Sequence, residues 1–229
     1  MKNNNNNNNI IVFAPHPDDE TLGCGGYLLK LKKEKANISW VIFTEMNAEA
    51  GFSKKRILDK KNQIIKVAKK YGFSNTFELG YIPGSLDTIP LQEIIGKLVS
   101  IIKKIKPNIV LLPHIDDIHT DHLVCNRAIL SSTKTFRHPY IKKLLVYETL
   151  SESEFKESYA SQKFVPNYFV DISNFLNAKI DIMKIYKDEI MKGPLPRSIS
   201  TIKALARYRG SRIAVEYAES YMQLINIED

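Results

Sequence analysis

Two short stretches of the chain concentrate residue types that bind metal ions. PHPDDE at 15–20 places His16 three residues before Asp19, and HIDDIHTDH at 114–122 ends in His122. Carboxylates and imidazoles crowded this closely resist burial unless a cation, hydrogen-bond donors or water compensate them. Two histidines and one carboxylate leave ligand positions open for water and substrate, as in catalytic zinc sites and non-haem iron sites. We therefore predict a divalent cation held by His16, Asp19 and His122, and the pattern alone does not choose the metal.

Three neighbouring side chains have types that suit acid–base chemistry. Asp18 is the carboxylate left uncoordinated beside the predicted cation, where it can take a proton from an attacking water. His119 lies three residues before His122, with Asp121 between them. A histidine near a carboxylate tends to keep its proton, so we expect His119 to stabilise an oxyanion and then protonate a leaving amine.

The rest of the chain alternates short apolar runs with amphipathic segments, which predicts an α/β fold around a mostly parallel sheet. Strands are predicted at 10–14, 38–44, 75–81, 108–113, 143–149 and 167–173, and helices at 21–35, 54–72, 91–106, 120–132 and 174–191. After the break at GPLPRS (193–198), residues 201–225 are predicted as helix on either side of Gly210. The expected fold class is a Rossmann-like three-layer domain with a helical C-terminal extension.

Each polar stretch begins where a predicted strand ends, after the first strand and after the fourth. In the common strand order 3-2-1-4-5 these strands are neighbours, and ligands bind outside their carboxyl ends. A helix dipole alone would favour acids in a first helical turn. It does not explain histidines with paired acids after both strands, so we expect the two stretches to face one crevice.

Composition limits the partners of the protein. With 229 residues, of which 44% are hydrophobic, the chain suits a single domain over 9–229 behind a disordered Asn-rich tail at 1–8. The net charge of +8 comes from scattered lysines without interleaved aromatic residues, so no nucleic-acid partner is expected. The first apolar run is too short for a membrane span or a signal peptide. Two cysteines, Cys24 and Cys125, indicate reduced thiols in the cytoplasm, and a homo-oligomer is left open.

Three other features are interpreted structurally. GCGG at 23–26 lacks the spacing of a dinucleotide or phosphate loop and indicates close helix-to-strand packing. His114 is expected to be a structural histidine at a strand end, with a place in the crevice left open, and His138 is expected on the surface.

PHPDDE and HTDH on an alternating α/β chain resemble the LmbE-like or PIG-L family of metal-dependent N-acetylglucosamine deacetylases. FVPNYFVDIS, followed by Lys179, and ALARYRGSRIAVEYAESY support the resemblance, which runs from Asn9 to about Leu224. The family often carries an R-x-x-E pair on the helix after the second strand, where this chain has DKKNQ at 59–63.

The resemblance implies residue roles and a substrate. It implies Zn²⁺ on His16, Asp19 and His122, with Fe²⁺ or another divalent metal left open, Asp18 as general base, His119 as general acid or oxyanion stabiliser, and Asp121 as the carboxylate that orients a histidine. Arg56 is the candidate for gripping a sugar hydroxyl. Arg209 is a second candidate, although a helix-surface position is expected for it.

The implied reaction is hydrolysis of a linear amide in an N-acetylated amino sugar, which releases acetate and a free amine. Loops after Glu45, around 83–87 and at GPLPRS are expected to form the sugar pocket, and activity is expected to be bell-shaped against pH. A metal-dependent phosphoesterase or nuclease, a non-haem iron oxygenase and a non-catalytic sugar-binding module stay open. The single compact ligand set counts against a two-metal phosphoesterase.

Overall fold

The computed structural model describes residues 8–155 and 163–228, so the predicted tail lies outside the described residues except for Asn8. The strands are β1 (Asn9–Ala14), β2 (Asn37–Thr44), β3 (Asn75–Tyr81), β4 (Ile109–Pro113), β5 (Lys143–Tyr147), β6 (Tyr168–Asp171) and β7 (Ala218–Asn226). The helices are α1 (Asp19–Lys33), α2 (Lys54–Tyr71), α3 (Leu91–Ile105), α4 (Thr120–Ser132), α5 (Leu176–Met183) and α6 (Ile199–Ser211).

One sheet joins these seven described strands in the order β3-β2-β1-β4-β5-β7-β6. Strands β1 to β5 are parallel, whereas β7 runs antiparallel to both β5 and β6. The predicted order of the first five strands is confirmed. β1 and β4 are direct neighbours, with Val12 opposite Leu111, so their carboxyl ends lie side by side.

The central strands β1, β2, β4 and β5 are buried on both faces, which makes the predicted three-layer arrangement correct. Side chains of β1 alternate between two apolar clusters: Val12 packs with α1, α2, α5 and α6, and Phe13 packs with α3 and α4. Central strands of a parallel sheet read as continuous apolar runs because helices cover both faces. Among the described helices, none is both long and apolar enough to cross a bilayer.

The predicted helical C-terminal extension is wrong in its second half. α6 ends at Ser211, and 218–226 forms β7, inserted between β5 and β6. Residues such as Ala218, Met222 and Leu224 favour helices in isolation, but the open edge of β5 offers backbone partners and burial that outweigh this preference. The helix predicted at 174–191 is also shorter, since α5 ends at Met183. A single domain over 9–229 stays a prediction.

The C-terminal strand is fastened to α1 by a buried polar network. Glu219 of β7 accepts hydrogen bonds from the backbone N–H groups of Gly26 (2.7 Å) and Tyr27 (2.7 Å). Lys179 of α5 donates to Glu219 Oε1 at 2.7 Å and to the carbonyl oxygen of Leu22 at 2.8 Å. The ammonium and carboxylate are buried together with their partners, as charges inside proteins must be.

Two smaller predictions have opposite outcomes. The glycines of GCGG do permit close packing, because a Cβ on Gly23 would overlap the ring of Tyr147 at the end of β5. The surface position predicted for His138 is wrong, since this residue is 3% exposed. Its Nδ1 lies 2.7 Å from the hydroxyl of Tyr140, which satisfies the buried ring.

Replacing Gly23 tests this packing. We expect Gly23→Ala to lower the free energy of unfolding by about 1–3 kcal/mol, because the added methyl group overlaps a buried aromatic ring. The matched control is Gly96→Ala in α3, where an added Cβ meets nothing within 4 Å. We expect that control to raise stability by about 0.5–1 kcal/mol through helix propensity. Urea unfolding measures both, and equal effects of the two substitutions would contradict the packing role.

Candidate active site

The two polar stretches meet at one cleft, at the carboxyl ends of β1 and β4. The cleft has a volume of about 320 Å³ and is lined by residues of both stretches, including His16, Asp18, Asp19 and His119. Residues from the expected loops also line it, namely Glu45, Met46, Pro83 and Arg197. The strand order therefore positions the chemistry as the sequence predicts.

His16, Asp19 and His122 converge, with one potential ligand atom from each lying within 4.8 Å of the others. Asp19 Oδ2 lies 3.3 Å from His16 Nδ1 and 3.3 Å from His122 Nε2. His122 Nε2 is buried, and apart from this 3.3 Å approach to Asp19 it makes no hydrogen bond within the described part of the chain. A buried nitrogen without a well-aligned hydrogen bond is costly, and a cation between these three atoms would satisfy it. The donor set thus fits a divalent metal ion.

Asp121 contacts His16 at the ring nitrogen that does not face Asp19. Its Oδ2 lies 3.0 Å from His16 Nε2 and also accepts the backbone N–H of Gly84 at 2.7 Å. Its Oδ1 accepts the N–H of Leu86 at 3.1 Å. The carboxylate is completely buried, and these hydrogen bonds, with the charge on His16, outweigh burial and lower its pKa. Such a partner fixes which ring nitrogen of a ligating histidine faces the metal.

Asp117 contacts one ring nitrogen of His122, as Asp121 contacts one ring nitrogen of His16. Asp117 is not among the site residues predicted from the sequence. Its Oδ2 lies 2.7 Å from His122 Nδ1, while the hydroxyl of Ser153 donates to Oδ1. This leaves His122 Nε2 as the nitrogen that faces Asp19. Asp117 stands in HIDDIHTDH, so the signal was present among the acids of that stretch.

Asp18 lies at the N-terminus of α1 in an unusual backbone conformation. Its φ is 153° and its ψ is −26°, a region that residues other than glycine rarely adopt, and such strain clusters at functional sites. The carboxylate is 4% exposed. Burial first, and then the charges of Asp19 and Glu189, raise its pKa well above the usual value. A cation beside it would act in the opposite direction.

His119 does not hold its proton in the way that the sequence predicts. Its Nδ1 accepts the backbone N–H of Asp121 at 3.1 Å, capping α4, and lies 3.9 Å from the carboxylate that is expected to support it. Burial and the charge on His16, whose ring centroid is 4.5 Å away, lower the pKa of His119. Because Nδ1 is an acceptor, the neutral ring carries its proton on Nε2.

His16 has the opposite electrostatic environment. Burial lowers its pKa, but the hydrogen bonds to Asp121 and Asp19 outweigh burial and raise the pKa to about 9. The metal-free imidazole is therefore protonated at neutral pH. A metal ion must displace that proton, so metal affinity rises with pH.

The two arginines predicted to bind substrate lie in different places. Arg56 lines the cleft at its rim, exposed, with its guanidinium 5.2 Å from the ring centroid of Phe52. Arg209 does not line this cleft and is not a free surface residue, because it makes a two-point ion pair with Glu148 at 2.9 and 2.6 Å. His114 is 2% exposed at the end of β4 and lies outside the lining of the cleft.

The raised pKa of His16 has a consequence for stability. Its pKa is 6.5 when unperturbed and about 9 in the metal-free folded chain. The stabilisation is therefore complete below pH 6.5 and is lost as pH rises through 9. We expect the melting temperature of chelator-treated protein to fall over that range more steeply than that of His16→Gln. Parallel curves for the two proteins would contradict the assignment.

Removing the support of His122 should weaken metal binding. We expect Asp117→Ala to lose about 10- to 100-fold in zinc affinity, because Nδ1 of His122 loses the partner that orients the ring. Competition with a chelating dye measures the affinity. The exposed Asp188→Ala is the control, and equal affinity in the two variants would contradict the role of Asp117.

Comparisons with known proteins agree with this geometry. Residues 11–133, more than half of the chain, match the family model described as PIG-L: GlcNAc-PI de-N-acetylase. The chain is 25% identical to a diacetylchitobiose deacetylase of Thermococcus kodakarensis, over 90% of this chain and 79% of that protein. It is 26% identical to the uncharacterized deacetylase YaiS of Escherichia coli, over 77% of this chain and 89% of that protein.

Solved structures share the fold. The conserved protein TT1542 from Thermus thermophilus superposes with a TM-score of 0.77 at 24% identity, covering 96% of each chain. The N,N'-diacetylchitobiose deacetylase from Pyrococcus horikoshii gives a TM-score of 0.71 at 19% identity, covering 94% of this chain and 83% of that one. With its matching family model and its α/β fold, this chain belongs to the PIG-L family of de-N-acetylases.

Proposed function

We propose that this protein is a metal-dependent hydrolase that removes the acetyl group from an N-acetylated amino sugar. The observation that carries the proposal is the convergence of His16, Asp19 and His122, whose buried Nε2 makes no hydrogen bond to the described residues, beside the carboxylate of Asp18. The named relatives support the substrate class, since two of them are diacetylchitobiose deacetylases.

We propose Zn²⁺ as the metal, held by His16 Nδ1, Asp19 Oδ2 and His122 Nε2. Two imidazole nitrogens and one carboxylate oxygen suit zinc, and Fe²⁺ accepts the same set. When bound, the ion supplies Lewis-acid chemistry, polarising the acetyl carbonyl and lowering the pKa of the attacking water.

The protein's own residues then move the protons. The carboxylate of Asp18 takes a proton from the water as its oxygen bonds to the acetyl carbon. His119 donates a hydrogen bond from Nε2 to the carbonyl oxygen as negative charge develops there. Asp18 passes its proton to the amide nitrogen while the C–N bond breaks, which leaves acetate and a free amine. A general acid would need the imidazolium of His119, which its lowered pKa disfavours, whereas the neutral ring can still donate from Nε2 to the oxyanion.

A two-metal phosphoesterase fits the site less well. Among the described residues a second group of potential ligands, His16, His119 and Asp121, shares His16 with the first. Its members are already engaged, because Asp121 accepts two backbone N–H groups and His119 Nδ1 caps α4. One-metal amide hydrolysis therefore suits the geometry better than a two-metal displacement.

The cellular setting and assembly are part of the proposal. Cys24 and Cys125 are both buried free thiols, which suits a reducing compartment, and we propose the cytoplasm. Formation of a homo-oligomer stays a prediction.

Acetate release from a panel of N-acetylated amino sugars, free and conjugated, tests the activity in the zinc-loaded protein. We expect Asp18→Asn and His119→Ala each to lose about 10²- to 10⁴-fold in kcat, because each removes a group that moves or stabilises charge in the reaction. Both variants should keep their fold and zinc content, measured by circular dichroism and elemental analysis. Near-normal turnover in either variant, with Asp188→Asn as the unaffected control, would refute the assigned role.

A further inference from the structure

Lys60, Glu189 and Arg197 form a charged network that lines the cleft beside Asp18. No sequence motif predicts this network. Lys60 of α2 is 4% exposed, and its ammonium donates to Glu189 Oε1 at 2.7 Å. Glu189 follows α5, so the pair joins two elements that are 129 residues apart in the chain. Burying an ion pair contributes little net stability by itself. Such a pair does hold each partner in one position.

Arg197, from the GPLPRS segment, completes this network. Its Nη1 lies 3.3 Å from Glu189 Oε2 and 3.5 Å from Asp18 Oδ2. These are long contacts for charged groups, which usually approach to about 2.7–2.9 Å. All contacts that the described residues make with the guanidinium involve Nη1, and Nε has no partner. A guanidinium offers five N–H donors, so most of the hydrogen-bonding capacity of Arg197 is unused.

The two other arginines considered for substrate binding differ from Arg197, because neither contacts Asp18 and each is placed differently. Arg209 spends its donors on Glu148, in a contact that uses Nε and Nη2. Arg56 lies exposed at the rim, over Phe52. Arg197 alone among these three combines a contact with the reacting carboxylate and unused donors.

We propose that Arg197 binds a hydroxyl of the sugar ring next to the acetamido carbon, and that Lys60 and Glu189 position its guanidinium for this contact. The inference rests on the proposed function. During amide hydrolysis the scissile nitrogen must lie at Asp18, which delivers the proton to it. The ring hydroxyls on the carbons beside the acetamido carbon are the substrate groups nearest that nitrogen, and Arg197 is the donor next to Asp18.

The positioning pair explains why an arginine can serve here. A free arginine side chain loses much conformational entropy when it grips a ligand. Glu189 fixes the guanidinium through one nitrogen and is itself fixed by Lys60, so the ordering takes place before substrate arrives. A specificity residue held in this way contributes mainly to substrate binding.

Kinetics of the zinc-loaded enzyme with an accepted N-acetyl sugar test the proposal. We expect Arg197→Gln to lose about 10- to 100-fold in kcat/KM, mostly as a raised KM, because one hydrogen bond from a charged donor is removed. The kcat/KM of Arg197→Lys should lie between those of the wild type and Arg197→Gln. Glu189→Gln should raise KM although Arg197 is still present. Arg212→Gln, an exposed arginine outside the cleft lining, is the control and should match the wild type.

Deoxy analogues of the sugar give a readout that a structural role would not change. Wild-type enzyme should discriminate against the analogue lacking the 1- or the 3-hydroxyl, and Arg197→Gln should lose that discrimination. Equal discrimination by both enzymes, or an unchanged kcat/KM in Arg197→Gln, would overturn the inference and leave the deacetylase proposal intact. Absence of acetate release by the wild type would overturn the proposed function itself. Melting temperature and zinc content of each variant separate these results from misfolding.

Discussion

The site depends on crowded charge at the ends of two adjacent parallel strands. His16, Asp19 and His122 place two imidazoles and a carboxylate within 4.8 Å of one another, with Asp19 and His122 buried. Inside a protein such a group needs a compensating partner. Within the described residues, the Nε2 of His122 has only the carboxylate of Asp19 at 3.3 Å and no well-aligned hydrogen bond, and a divalent cation would fit between these atoms. The strained backbone at Asp18 and the orientation of both histidines are then explained by the same cation site.

Contacts between distant parts of the chain hold these charged side chains in place. Asp121 ties His16 to the loop at Gly84, and Asp117 ties His122 to Ser153 after β5. Each of the two histidines is thus held by a carboxylate that is anchored in turn by another loop. Beside Asp18, the segment between α5 and α6 contributes the charges of Glu189 and Arg197. The candidate catalytic side chains are therefore positioned by three further parts of the chain, and such preorganisation is what electrostatic catalysis requires.

The sequence predicts the central strands and the candidate metal ligands better than it predicts β7 and the surrounding charged network. The apolar runs of β1 and β4 and the polar residues after them indicate the strand order and the ligands, because those signals are local. The sequence predicts helix where β7 lies, since AESYMQLIN has no strong strand preference and its pairing with β5 is visible only in three dimensions. The network of Lys60 and Arg197 is invisible in the sequence for the same reason. The predicted protonation of His119 is not supported, because burial and the charge on His16 lower its pKa more than the charge of Asp121 raises it.

The most direct test of a shared cation is an anomalous difference map from crystals of the zinc-loaded protein, collected at the zinc absorption edge. The account predicts one strong peak about 2.0–2.2 Å from His16 Nδ1, Asp19 Oδ2 and His122 Nε2, with Asp18 uncoordinated beside it. A map with no peak among these atoms, with the two imidazoles pointing away from each other, would contradict the central claim.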